Sequence, residues 1–493
     1  MKKKEKNKIL IVGAGFAGRE LASELSSKGI LGEVVAFIDD DKKKIGSHIE
    51  GIPVYGPIST IEAVKKKCSP DETIVAIPGA SRSQLKTIYN ALKLAGIKNI
   101  RILPGISQII EGEAHLIQTR EIKVQDLLAR RPVMISLKES LEYLRGKRVL
   151  ITGAGGSIGS ELARQLLYGG ASRLYLFDHG ENNVYEIDKE LKILQEEGVG
   201  ETAMVVPIIG ELQDRDFVNF IIKRLKADVI FHCAAYKHVP LIEENPVEAV
   251  KNNIFGTKNI VEAAKNAGVS RFVFISTDKA VEPSSIYGAS KLIAEELILS
   301  NNGENTDFMV VRFGNVLGSM GSIVPLFTKQ IQKGGPVTIT DKRAKRFFMT
   351  IPEAASLVLK TGGVGKGGNL YILEMGEPIL IKDLAEQMIR FYGFIPGKEI
   401  KLEYIGLRPG EKLTEHLWTG EDEVVKTEYP GIIRLKHRSR LNGRLDSLIS
   451  KLKEVCFTED GKSSPRYRNR LYLRSSLKEV IPSIPWVENE PEV

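Results

Sequence analysis

Two side chains in this 493-residue sequence have the types and spacing to move a proton on and off an alcohol. Tyr287 and Lys291 stand four residues apart, and on a helix that spacing puts both on one face. An ammonium beside a phenol favours the phenolate and lowers its pKa from about 10. Such a tyrosine can take the proton of an alcohol while a hydride leaves the same carbon. Just upstream, Ser276-Thr277-Asp278-Lys279 sets an acid beside a base after an apolar run. An Asp-Lys dipeptide is usually a solvated loop pair. Here it follows the expected carboxyl edge of a sheet, where open α/β folds bind ligands. A redox step alone does not need the pair; an elimination does.

The elements that must position these groups are written twice. Ile9–Val12 runs into Gly13-Ala14-Gly15-Phe16-Ala17-Gly18, and Arg148–Ile151 runs into Thr152-Gly153-Ala154-Gly155-Gly156-Ser157-Ile158-Gly159. Each reads as a buried strand, a glycine-rich turn and a helix start, the opening of a doubly wound α/β unit. In the second copy, backbone amides and a helix N-terminus would converge on a pyrophosphate. Asp178, ending the next strand, would bind a ribose diol and repel a 2′-phosphate, favouring NAD over NADP. In the first copy Asp39 stands where a ribose acid would stand, but no Tyr/Lys pair follows. The fold class expected is α/β, with two doubly wound Rossmann-like parallel sheets in tandem and a smaller substrate lobe on the second.

The expected divisions are an N-terminal unit over 1–116, a linker over 117–146, a catalytic domain over 147–430 and a basic C-terminal tail over 431–493. Strands are expected at 34–38, 73–77 and 100–103 in the first unit. In the second they fall at 174–178, 205–209, 229–232, 272–276 and 308–312. Pro132 argues against a continuous helix through the linker. Beyond Gly314 the alternation fades, and loops are expected to build the substrate lobe over about 315–430.

Composition narrows the classes further. Charged residues make up 27% and hydrophobic ones 42%, which excludes disordered, collagenous and coiled-coil chains. No apolar run approaches the roughly 18 residues of a membrane span. The three cysteines, Cys68, Cys233 and Cys456, are far apart, so neither a disulfide framework nor a metal cage is expected. Net charge is +8, with basic residues gathered at both ends. Solvated termini are the first reading; docking on an anionic membrane surface or a pathway enzyme is the second. No signature points to nucleic acid.

Taken together, the motifs resemble a known family. The glycine turn with Tyr287-x-x-x-Lys291 is similar to the extended short-chain dehydrogenase/reductase superfamily. Five further stretches resemble the bacterial nucleotide-sugar 4,6-dehydratases of polysaccharide biosynthesis: Ala234–Pro240, Ser276–Ala280, Arg312–Gly318, Arg346–Thr350 and Gly406–Lys412. The resemblance implies a UDP-N-acetylglucosamine 4,6-dehydratase that recycles its NAD. It implies that Tyr287, aided by Lys291, takes the 4-hydroxyl proton, with Thr277 hydrogen-bonded nearby. Lys279, if neutral, would remove the C5 proton, and Asp278, if protonated, would give one to the departing 6-hydroxyl. Those roles call for a lowered Lys279 pKa and a raised Asp278 pKa. NAD contacts are implied at Gly153, Gly155, Gly156, Ser157, Ile158, Gly159, Asp178, Glu211, Leu212, Ala234, Ala235 and Lys291. Asn315 and Arg408 would hold the nucleotide diphosphate, Glu411 the uridine ribose, and Lys237, His238 and Arg346 would border the substrate.

The chain departs from the family in three places. Long members usually begin with membrane-spanning helices, whereas this chain resembles the part that follows them, which implies a cytoplasmic homo-oligomer. Many long members carry methionine at the position of Tyr287, whereas short members carry tyrosine and invert C5. An aspartate is usual at Glu211. Two other functions share the glycine turn: a nucleotide-sugar 4-epimerase, which needs no Asp278-Lys279 pair, and a non-enzymatic NAD-sensing scaffold.

Overall fold

The computed structural model describes residues 7–102 apart from 29–31, 78–79 and 81, residues 120–121, and residues 141–490 apart from 304, 437–438, 442, 459–461 and 486–489. The expected linker lies almost wholly outside them, Pro132 included. The chain divides into two compact units, Met1–Met134 with Arg390–Gly393, and Ile135–Ile389 with Phe394–Val493.

The first unit is a seven-stranded sheet. Its strands are β1 (Lys8–Val12), β2 (Glu33–Ile38), β3 (His48–Ile49), β4 (Ile52–Tyr55), β5 (Glu72–Val75), β6 (Ile100–Ile102) and β7 (Arg120–Glu121), in the order β3-β4-β2-β1-β5-β6-β7. The five central strands are parallel, and the two outermost pair antiparallel. Strand β1 is buried on both faces. Leu10 and Val12 join one core, and Ile9 and Ile11 join the other, which explains its unbroken apolar run. At the end of β2, Asp39 Oδ2 accepts from the Ala14 amide at 2.7 Å and from Lys44 Nζ at 3.1 Å. The acid is therefore already tied to its own glycine turn.

The second unit carries a nine-stranded sheet. Strands β8 (Arg148–Thr152), β9 (Arg173–Asp178), β10 (Met204–Ile209), β11 (Val229–His232), β12 (Arg271–Thr277) and β13 (Asp307–Phe313) run β10-β9-β8-β11-β12-β13, all parallel. The order reverses between β8 and β11, the crevice where open α/β sheets take their ligands. Strand register then places the chemistry. β12 and β13 pair from Arg271↔Asp307 to Thr277↔Phe313. Asp278-Lys279 and Gly314-Asn315 therefore leave the sheet side by side.

Two expectations are corrected here. The pattern does not dissolve beyond Gly314. Helices Ile323–Gln332 and Ile351–Val364 follow, and Leu370–Leu373 joins the sheet as a seventh parallel strand beside β13. The basic C-terminal segment is also not a solvated tail. Ile432–Leu435 pairs antiparallel with Leu370–Leu373, and helices Leu445–Cys456 and Arg470–Val480 follow. Leu448, Leu452, Leu473 and Leu477 recur at i, i+4 and pack on Ile254, Leu292 and Ile293. Many of its charges lie on the outer faces of amphipathic helices, whereas Arg474 is buried. Among the described residues no helix is long and apolar enough to cross a membrane.

Candidate active site

A cavity of about 800 Å³ opens at the carboxyl edge of the second sheet. Its floor is the glycine turn. An added Cβ at Gly153 would come within 2.8 Å of the Ala234 backbone, and one at Gly159 would collide with the Gly153 carbonyl. Glycine is required there because strand, turn and helix Ser157–Tyr168 approach so closely. Asp178 is fixed by two backbone donors, Gly155 N to Oδ2 and Gly180 N to Oδ1, both at 3.1 Å. Around it lie Ser157, Ile158, Gly156, Glu211, Leu212, Ala234 and Ala235.

The reactive end is built on β12 and the helix that follows. Ser285 caps helix Ile286–Ser300 by accepting from the Gly288 amide at 3.1 Å. An added Cβ at Gly288 would collide with the Lys279 carbonyl, so this glycine lets the helix start against the Asp278-Lys279 turn. Tyr287 is thereby brought to the same end of the cavity as Thr277, whose hydroxyl donates to Asp278 Oδ1 at 3.0 Å. Lys279 Nζ donates to Asp278 Oδ1 at 2.9 Å and to Asn315 Oδ1 at 3.2 Å. Across the cavity, Asn253 sits in a π-helical turn and holds the loop bearing Lys237 and His238 through both backbone groups of Tyr236.

The direction of the Lys279 shift differs from the one the resemblance implies. Burial disfavours the Lys279 ammonium, but Asp278 and Glu415 outweigh it, and the pKa is held above the usual lysine range. Burial pushes the Tyr287 phenol up, against the opposing pull of Lys279 and Thr277. Lys291 Nζ donates to Ile275 O at 2.7 Å and sits 3.9 Å above the Phe274 ring. Burial lowers its pKa to about 7. The cation that bears on the phenol here is Lys279.

Of the residues implied as catalytic, NAD-binding or substrate-binding, all line this one cavity except Gly155 and Asp278. Gly155 works from behind, through its bond to Asp178. Asp278 is 0% exposed and lies beneath Lys279. Arg346 lines the wall and donates to the carbonyls of Lys412 and Leu413 at 2.8 and 3.1 Å. Arg408 and Glu411 are paired with one another at 2.5 Å at the half-open rim.

One group was missed by sequence reasoning. Glu415 lines the cavity at 3% exposure, and its Oε2 has no hydrogen-bond partner. Burial pushes its carboxyl up, Lys279 pulls it down, and Asp278 adds to the rise. It falls three residues beyond the Gly406–Lys412 motif, in a segment without helical or strand periodicity. Its only local signal is an acid set between Leu413 and Leu417.

A family model described as polysaccharide biosynthesis protein matches residues 149–437, and one described as CoA binding domain matches residues 4–104. The probable polysaccharide biosynthesis protein EpsC of Bacillus subtilis is 42% identical over 86% of this chain and 71% of its own length. A Campylobacter jejuni protein named UDP-N-acetylglucosamine 4,6-dehydratase (inverting) is 33% identical over 58% of this chain and 81% of its own. Among solved structures, Pen from Bacillus thuringiensis matches with a TM-score of 0.54 at 36% identity, covering 59% of this chain and 88% of Pen. The first match spans more than half of the sequence and contains the whole cavity, and by it the chain belongs to the polysaccharide biosynthesis protein family.

Proposed function

We propose that the protein is an NAD-dependent 4,6-dehydratase. It acts on UDP-N-acetylglucosamine and yields a UDP-2-acetamido-2,6-dideoxy-4-hexulose for bacterial surface polysaccharide. The observation that carries this reading is the meeting of Tyr287 with Lys279 and two buried carboxyls, Asp278 and Glu415, at one end of the cavity. Oxidation at C4 needs only the tyrosine. Removing water across C5 and C6 needs a base and an acid as well, and both kinds of group are present.

The floor of the cavity suits the cofactor. Glycines 153 and 159 leave no room for side chains, and Asp178 is held rigidly at the end of β9. Gly153, Gly156, Ser157 and Ile158 would hold the pyrophosphate, Asp178 the adenine ribose, and Lys291 the nicotinamide ribose. When bound, NAD would supply the hydride acceptor for C4 and the hydride donor for C6. Tyr287 accepts the 4-hydroxyl proton with Thr277 at its side. The resulting ketone acidifies the C5 proton, which Lys279 removes once its ammonium has given up a proton. Arg408, freed from Glu411, and Asn315 would hold the diphosphate, and Glu411 would then face the uridine ribose.

The Campylobacter relative's name favours the same substrate. The test is incubation of the protein with NAD and UDP-N-acetylglucosamine, followed by mass analysis. A product lighter by one water is expected. A product of unchanged mass and inverted C4 would replace this reading with a 4-epimerase.

A further inference from the structure

Resting on the dehydratase reading, we propose that Glu243 is a positioning residue for Tyr287, held in place by Arg474 of the C-terminal helix. The step it serves is the first one, in which Tyr287 takes the 4-hydroxyl proton as C4 is oxidised.

Tyr287 is the second residue of helix Ile286–Ser300, so its phenol goes where the first turn goes. A helix start leaves backbone amides with no partner inside the helix. Here two of them are met by side chains. Ser285 accepts from the Gly288 amide at 3.1 Å, and Glu243 Oε1 accepts from the Ile286 amide at 2.7 Å. The first is a local cap that travels with the helix. The second comes from 43 residues away and ties the helix start to a separate part of the chain. A carboxylate suits that place, because its charge also faces the positive end of the helix.

Glu243 is itself held from the far side. Arg474 Nη2 donates to Glu243 Oε2 at 2.9 Å, and Arg470 Nη2 donates to the Glu243 carbonyl at 3.0 Å. The Arg474 and Glu243 side chains are 4% and 9% exposed, so solvent ions screen the pair little. Leu473 and Leu477 lie in one core with Ile286 and Tyr287. That apolar contact holds the two helices together but has no preferred direction. The bonds through Glu243 have one, and they set where the first turn lies.

The loop that carries Arg408 and Glu411 rests on the same spot. Ser284 Oγ donates to Gly410 O at 3.0 Å. An added Cβ at Gly410 would lie 2.8 Å from Ser285 Cβ and 3.3 Å from Glu243 Oε1. The rim pair and Tyr287 therefore share one footing. A tyrosine that must meet a 4-hydroxyl needs such fixed placement, since a misplacement of about 1 Å can cost up to 100-fold.

The test follows reduction of bound NAD in a single turnover with UDP-N-acetylglucosamine. R474M leaves the buried Glu243 carboxylate unpaired, so its urea midpoint and its rate are expected to fall together. E243Q/R474M carries no such charge, and its midpoint is expected to return close to wild type. Its rate is expected to stay at least about tenfold below wild type, with KM for the sugar and NAD affinity within about threefold. R474K keeps a cation for Glu243 Oε2 and is expected to recover most of the rate. A readout without turnover is hydrogen exchange at the Ile286 amide, expected to be at least about tenfold faster in E243Q/R474M than in wild type. A double variant that regains rate along with stability, or whose Ile286 amide exchanges at the wild-type pace, would overturn the assignment. Wild type that reduces its NAD but releases no water would fail the dehydratase reading and leave the Tyr287 assignment standing.

Discussion

Lys279 Nζ lies 2.9 Å from Asp278 Oδ1, and the pair is an ion pair in the substrate-free protein. A base must be neutral to act, so this contact sets the pH at which Lys279 becomes available. On the proposed role of Lys279 as the base, C5 exchange is expected to rise with pH through its pKa. Removing the Asp278 charge lowers that pKa, so in D278N the rising limb of C5 exchange is expected to move to lower pH by about one unit or more. The maximal rate falls as well, because Lys279 loses its anchor. A pH profile of deuterium incorporation checks this; a limb that stays in place would show that Asp278 does not govern Lys279.

Tyr287 is buried beside the Asp278-Lys279 turn, and Lys279 is the cation that opposes the rise of its pKa. Tyr287→Phe is expected to lower kcat by about 100-fold or more while leaving NAD affinity within about threefold. Single-turnover absorbance of the reduced nicotinamide separates the two effects.

Lys291 is buried in the cavity wall, with its pKa lowered from 10.5 to about 7. Its folded-state pKa lies below the unfolded one. Stability is therefore lost as pH falls from about 10 to 7, and the loss levels off below 7. Lys291→Met is expected to be inactive yet more stable than wild type by about 1–2 kcal/mol at pH 7, with the gain shrinking toward pH 10. Urea midpoints at pH 7 and 9 measure both the sign and the trend.

The C-terminal helix reaches the site through one chain of contacts. Arg474 Nη2 donates to Glu243 Oε2 at 2.9 Å, and Glu243 Oε1 accepts from the Ile286 amide at 2.7 Å, one residue before Tyr287. Arg474→Met leaves a buried carboxylate unpaired and is expected to cost about 3–5 kcal/mol. Denaturant unfolding with tryptophan fluorescence reads the loss. A variant as stable as wild type would return the segment to the role of an appendage.

Gly288→Ala would set a methyl group against the Lys279 carbonyl. Activity is expected to fall at least about tenfold through displacement of Lys279, with NAD binding intact, since a misplacement of about 1 Å can cost up to 100-fold.

Much of this site was legible in the sequence because its signals are local. The glycine turn, the apolar runs of β8 to β13 and the Tyr287/Lys291 spacing each depend on neighbours within a few residues. What was illegible depends on partners far along the chain. Leu370–Leu373 is only four residues long, and its place in the sheet follows from pairing with β13, some sixty residues earlier. The i, i+4 leucines of the last two helices were present, but the density of Lys and Arg around them masked the stripe. Helical spacing put Lys291 on the face of Tyr287, yet could not show that Ile275 O takes its ammonium. The Lys279 charge state is set by Asp278 beside it and by Glu415 from more than a hundred residues away, and no local pattern marks Glu415.

The central claim is that this cavity removes water from a nucleotide sugar. Its most direct test is proton NMR of the purified protein with UDP-N-acetylglucosamine and NAD in deuterated water. A new C6 methyl signal with deuterium at C5 is expected, and the ring couplings of the product then read out inversion or retention at C5. Conversion to UDP-N-acetylgalactosamine, or an unchanged spectrum across UDP-sugars, would contradict it.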